Sequence, residues 1–184
     1  MNNVISSSEE RMKKTAANLK EGFASFRTGR ASAALFDRIR VEYYGDKQPL
    51  NQVANISIPE ARLVVIQPWD KAMIGEIEKA IRSSELSLNP SNDGKVIRIA
   101  IPPLTEDRRK DLVKQAKNQA EQSRVAIRNI RRDGNDELKK LLKDGLLTED
   151  EESHDSAELQ KLTDGYITKV NQTLEEKEKE IMEV

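Results

Sequence analysis

The tetrad Glu151-Glu152-Ser153-His154 contains Glu-x-x-His, the spacing with which facing helices hold carboxylate-bridged metals. Such a site takes two copies of the motif, and His154 is the single histidine of the chain. The residues therefore favour the acidic start of an exposed helix over a metal ligand. Asn92-Asp93-Gly94-Lys95 reads as a turn: it lacks the further glycine and the Ser/Thr with which a phosphate loop cradles a nucleotide and its magnesium. Neither HExxH nor a nucleophile elbow occurs. The chain has no cysteine, which excludes thiolate chemistry and structural disulfides and is compatible with a reducing compartment. Carboxylates are plentiful but scattered. The expectation is a protein that is not an enzyme and carries no metal and no cofactor.

Binding chemistry is better represented. Lys110, Lys114, Lys117, Arg124, Arg128 and Arg131 recur at heptad-like spacing, about 100° around a helix from its apolar stripe, with Arg132 beside them. A solvated charged face accounts for such a pattern in an ordinary bundle helix. Two details favour contact with nucleic acid. Arginine crowds into Arg124, Arg128, Arg131 and Arg132, and its planar fork suits bidentate phosphate contact better than lysine does. Gly134 also lies mid-helix, where it costs about 1 kcal/mol relative to alanine. A neighbouring helix or a ligand that must come close would justify it.

The elements that position these residues follow from periodicity. Met12, Ala16, Leu19, Phe23 and Phe26 form a narrow seam on a first helix, with a capping box at Ser6/Glu9 or Ser7/Glu10 and fraying at Arg27-Thr28-Gly29-Arg30. Ile39, Val41 and Tyr43 alternate as a half-buried strand, followed by a turn at Gly45-Asp46. Leu63-Val64-Val65-Ile66 fits a buried strand. Asp70 can cap a helix carrying Met73, Ile74, Ile77 and Ile81, with Trp69 packed in the core or at the module edge. After Asn89-Pro90 and the Asp93-Gly94 turn, residues Val96 to Ile101 alternate again until Pro102-Pro103 stop them. Thr105 then caps a long helix whose stripe is Leu112, Ala116, Ala120, Ser123, Ile127, Ile130, Gly134, Leu138 and Leu141, a period of about 3.6 residues. Thr148 and Glu151 open a third helix, lined by Leu159, Leu162, Tyr166, Val170, Leu174 and Ile181. Three long helices with so few aromatics must bury their seams on one another. The fold class expected is α+β: a long three-helix bundle formed by 1–29 and 105–184, with a β/α/β domain inserted at 30–104.

The net charge of −1 hides segregation: residues 106–144 carry 12 Lys/Arg against 8 Asp/Glu, whereas residues 145–184 carry 4 against 12. One face of such a protein meets phosphate and another avoids it. The N-terminus lacks an apolar core of signal-peptide length, and no stretch approaches the roughly 18 apolar residues of a membrane span. The expectation is a cytoplasmic protein with no membrane partner.

The sequence also resembles a known family from end to end. Arg-Thr-Gly-Arg-Ala at Arg27–Ala31, Val41–Gly45, Leu88–Pro90, Pro102–Leu112, Arg124–Asp136 and Leu141–Asp144 carry a likeness to the bacterial ribosome recycling factors. Gly134 departs from the alanine expected there. The resemblance implies an L-shaped, two-domain monomer that binds the 70S ribosome and its 50S subunit through 23S ribosomal RNA. With elongation factor G and GTP it would split the post-termination complex and free ribosomes from messenger RNA, without itself hydrolysing GTP. Carried over by position, Arg128, Arg131 and Arg132 would be the principal RNA contacts. Arg27 and Arg30 would support them, and Arg124, Lys117 and Arg109 would extend the surface. Hinges would lie at Gly29, Arg30, Pro102, Pro103 and Thr105. The rival readings are a helical adaptor that binds an acidic protein and a hydrolase assembled from scattered carboxylates.

Overall fold

A computed structural model describes residues 3–183. In chain order the elements are α1 (Asn3–Ala24), β1 (Arg40–Tyr43), β2 (Asp46–Pro49), α2 (Leu50–Val53), β3 (Ala54–Glu60), β4 (Leu63–Pro68), α3 (Ile74–Arg82), β5 (Pro90–Asn92), β6 (Ile97–Ala100), α4 (Glu106–Lys143) and α5 (Glu149–Met182). They fall into two compact units: the segments through Phe26 and from Thr105 onward form one, and Arg27–Leu104 the other.

The first unit is a bundle of α1, α4 and α5, each packed on the other two. Pro102 and Pro103 cannot continue a helix, and Thr105 begins α4, its hydroxyl accepting from the Arg108 N–H at 3.2 Å. At 38 residues α4 is about 57 Å long. It ends at Gly145, whose φ of +73° suits glycine. There the Leu146 N–H donates to the Leu141 carbonyl and the Gly145 N–H to that of Leu142, a Schellman closure. Thr148 and Glu151 form a reciprocal capping box at the start of α5. The Glu151 carboxylate is thereby occupied, held below its ordinary pKa by the Thr148 backbone N–H first and its hydroxyl second.

Every member of the α4 stripe from Leu112 to Leu138 is buried, and Leu141 is half-buried. The seam of α1 buries Met12, Leu19 and Phe23. Its start differs from the expected capping box. Asn3 is already helical, so Ser6 and Ser7 lie inside the helix, where the Ser6 hydroxyl bonds the Asn3 carbonyl. The helix also ends at Ala24, three residues before the Arg27–Arg30 stretch where fraying was expected. On α5 the buried face includes two polar residues outside the apolar pattern, Thr163 and Lys177. Thr163 turns its hydroxyl back to the Leu159 carbonyl at 2.7 Å. Lys177 pairs with Glu180 at 3.1 Å and lies 6.0 Å from the Phe26 ring centroid.

At Gly134 all three helices of the bundle come close together. A Cβ there would stand 2.7 Å from Cδ2 of Leu159 on α5 and 3.0 Å from Oγ of Ser8 on α1. Three helices converge on one position, and only a residue without a side chain fits without displacement.

The second unit holds an antiparallel sheet ordered β3-β4-β6-β5 and a separate β1-β2 hairpin. Its core includes Phe36, Val41, Leu50, Val64, Ile66, Ile77, Ile81, Ile97 and Ile99. The Leu63–Ile66 run is covered on one face: Val64 and Ile66 are buried, whereas Leu63 and Val65 are half-buried. The β1-β2 turn is Tyr44-Gly45, one residue earlier than the expected Gly45-Asp46. Both residues have positive φ, +48° and +88°, and Asp46 already pairs with Tyr43. Two positive φ values give the twist that a two-residue hairpin needs. Pro90 opens a short edge strand, a position where its missing N–H is tolerated. Asp70 accepts from the Ala72 N–H at 2.9 Å and starts a single 3-10 turn that runs into α3. Trp69 is not core: it is 69% exposed.

At the base of this unit the two chain ends are pinned together. Ala31 N–H donates to the Ala61 carbonyl at 2.7 Å, and Ile101 N–H to the Arg62 carbonyl at 2.8 Å. Gly29 has a φ of +77°, and a Cβ on it would meet the Leu104 nitrogen at 3.2 Å.

Gly134→Ala sets a helix-propensity gain of about 1 kcal/mol against an overpacking cost of about 1–3 kcal/mol. Chemical denaturation is expected to show net destabilisation by about 1 kcal/mol. In a Leu159→Ala background the same change should become stabilising. A stabilising effect in both backgrounds would refute the steric account.

Candidate nucleic-acid interface

The basic residues of α4 divide by what they touch. Toward α5, Lys117 Nζ stands 3.7 Å from Glu178 Oε1, an oxygen that is buried and takes no hydrogen bond. Arg124 donates through NH1 to Asn171 Oδ1 at 2.8 Å, and Arg131 through NH1 to Gln160 Oε1 at 2.8 Å. The Gln160 amide donates onward to Asp164 at 2.8 Å. Arg109 NH1 reaches the Met182 carbonyl at 3.4 Å, a cation at a helix C-terminus, where the dipole favours it. Four of the basic residues thus lace α4 to α5 along one groove.

The outward residues are less committed. Arg128 is half-buried, and its NH1 lies 3.4 Å from Glu121 Oε1. Arg132 and Lys114 are exposed, and neither has a hydrogen bond or ion pair among the described residues. Lys110 is paired with Glu106 at 3.0 Å, one turn back. Arg131 spends one guanidinium nitrogen on Gln160 and keeps further N–H groups, since the fork carries five. The surface available to an anion therefore centres on Arg128, Arg131, Arg132 and Lys114.

Arg27 and Arg30 belong to the other unit. Both are exposed, and Arg27 NH2 donates to the Glu85 carbonyl at 3.0 Å. Gly29, Pro102 and Pro103 lie in that unit as well, and Thr105 is the first residue of the bundle segment. Glu121 was not anticipated. Its carboxylate accepts from Arg124 Nε at 2.9 Å and from Arg128, and the Arg124 hydrogen bond leads in holding it below the ordinary glutamate pKa. The spacing of three from Arg124 was visible in the sequence. Asn171 and Gln160 were not, because they lie 47 and 29 residues from their arginines.

Glu151 is taken up by its cap, and among the described residues no group of three or more His, Cys, Asp or Glu could hold a metal ion. No described helix is long and apolar enough to cross a membrane. Bundle, insert and arginine surface define a class: an α+β, two-unit protein that presents cations from a long helix. Comparison with known proteins sharpens the class. The family model described as ribosome recycling factor matches residues 19–182. The ribosome-recycling factor of Treponema denticola is 67% identical over 175 residues, covering 95% of either chain. That of Halalkalibacterium halodurans is 59% identical over 181 residues, covering 98% of either chain. A solution structure of a ribosome recycling factor superposes with a TM-score of 0.77 at 46% identity, over 99% of this chain and 97% of that one. A second structure describes models of the Thermus thermophilus factor and the Escherichia coli elongation factor G bound to the E. coli post-termination complex. It matches at a TM-score of 0.63 and 49% identity, over 98% of this chain and 97% of that one. The chain belongs to the ribosome recycling factor family.

The two groups of arginines should separate in a stability measurement. Arg124→Ala removes a hydrogen bond to α5 and is expected to lower the unfolding free energy by about 1 kcal/mol. Arg132→Ala should stay within about 0.5 kcal/mol of the parent in the same urea titration. Equal losses would contradict the division.

Proposed function

We propose that this chain binds the post-termination ribosome and, with elongation factor G and GTP, helps separate the subunits, so that ribosomes are freed from messenger RNA. Family membership supports the reading, as does the relative described with elongation factor G on a post-termination complex. The observation that carries the residue assignment is the outward set on α4, in which Arg132 is exposed and uncommitted while Arg128 and Arg131 keep free donor groups. In this reading Arg128, Arg131 and Arg132 sit on phosphates of 23S RNA in the 50S subunit. Arg124, Lys117 and Arg109 hold the helix on which those contacts are displayed, and Arg27 and Arg30 add positive charge from the inserted unit. The chain works in the cytoplasm as a monomer, catalyses no covalent step itself, and leaves GTP hydrolysis to its partner.

The chain passes between the units twice, at Phe26–Arg27 and at Leu104–Thr105, and neither crossing lies within a helix or strand. Two short irregular connections allow hinged motion and oppose free tumbling. We take Gly29, Arg30, Pro102, Pro103 and Thr105 as the residues about which the insert moves while the bundle stays on RNA.

Co-sedimentation with purified 50S subunits tests the first part. Arg132→Ala and Arg128→Ala should each weaken binding and reduce the slope of log affinity against log salt by about one, the signature of a lost phosphate contact. Binding that ignores both substitutions and salt would favour a protein partner instead. The motion can be tested because the chain has no cysteine of its own. A cross-link between one introduced cysteine in each unit should leave 50S binding intact and abolish subunit splitting; full splitting by the cross-linked protein would rule out a required swing.

A further inference from the structure

Between Lys114 and Arg132 the sequence contains one carboxylate, Glu121, among five basic residues before Arg132 itself. It stands in their midst. Oε2 accepts from Arg124 Nε at 2.9 Å, and Oε1 lies 3.4 Å from Arg128 NH1. Arg124 is otherwise spent on Asn171, so its guanidinium is bonded on two sides. Glu121 remains over half exposed, so it adds little to the core. Its charge faces whatever approaches the arginines to which it is bonded.

A carboxylate and a phosphate compete for the same guanidinium edges. A polyanion of arbitrary geometry, drawn in by the field of the basic helix, meets a negative charge beside Arg124 and Arg128. An RNA surface whose phosphates fall on Arg132, Lys114 and the outward N–H groups of Arg128 and Arg131 avoids that charge. Discrimination by a built-in repulsion is a common route to specificity, since attraction to phosphate alone cannot distinguish one RNA from another.

We propose that Glu121 is a specificity-determining residue of the α4 surface: it holds the edges of Arg124 and Arg128 and repels RNA whose phosphates are not arranged around it. The inference rests on the RNA-binding reading of α4 and adds to it a residue of opposite charge.

Glu121→Gln keeps the side-chain shape and removes the charge. Dissociation constants for a duplex RNA of unrelated sequence and for purified 50S subunits, measured at one ionic strength, give the selectivity. The duplex is expected to bind about threefold or more tighter, and the ratio of 50S to duplex affinity to fall by about the same factor. Glu121→Asp, which restores the charge, should recover most of the ratio. A purely structural Glu121 would shift the unfolding midpoint and leave the ratio alone, and that result overturns the proposal; so does a ratio that falls equally in both variants. Arg132→Ala, run alongside, keeps the two readings apart. If it fails to weaken 50S binding, the interface itself is misplaced. If it does weaken binding while Glu121→Gln leaves selectivity unaltered, only the role of Glu121 is lost.

Discussion

The distance between α4 and its two partners is set by what α4 leaves out. Ala116, Ala120, Ser123 and Gly134 supply small side chains or none along the buried stripe, and at Gly134 the approach is so close that even a methyl group would collide with Leu159 and crowd Ser8. Larger residues on either side, Leu112, Ile127, Ile130 and Leu138, fill the space that the small ones permit. The intimacy of α4 and α5 in turn brings Arg124 within reach of Asn171, Arg131 within reach of Gln160 and Lys117 toward Glu178. The electrostatic arrangement of the exposed edge is therefore downstream of steric complementarity in the core.

That ordering gives the cations of α4 different duties despite similar spacing. Those nearest α5 exchange mobility for fixed geometry, because a guanidinium bonded to a neighbouring helix loses the rotamer freedom of a surface side chain. Those further round keep it, along with donors that nothing in the bundle requires. On the proposed RNA-binding reading both would serve: rigid cations to define a register, and free ones to adapt to phosphates whose exact positions differ slightly. Glu121, bonded to one member of each group, couples them.

Much of this is legible in the sequence. The α4 stripe from Leu112 to Leu138 follows from period alone, and the Thr105 and Thr148 starts follow from capping chemistry, since both depend on residues adjacent in the chain. What escaped depends on residues that are distant or atypical. Thr163 and Lys177 are buried although polar, the first because its hydroxyl is satisfied within its own helix, the second because its ammonium reaches Glu180 and lies over the Phe26 ring. Ser6 and Ser7 imitate a helix start but are overruled by a helix that already includes Asn3. Trp69 read as a packing residue because tryptophan usually is one, and it is exposed. At the interface, the cations could be read from the sequence, but their division could not. Which arginine is tied down is decided by Asn171 and Gln160, and no local pattern on α4 reports them.

From the standpoint of α1 and α4, everything from Arg27 to Leu104 is a loop. A disordered loop of that length would tax the bundle with a closure entropy that grows with the logarithm of its length. Here the loop is itself folded. Ala31 and Ile101 are fastened to the adjacent residues Ala61 and Arg62, so the insert's two ends stand side by side at Gly29 and Leu104. Once the insert has folded, the bundle closes as if only a few residues joined its first two helices. With the insert folded, the length of its sequence ceases to weigh on the stability of the helices around it.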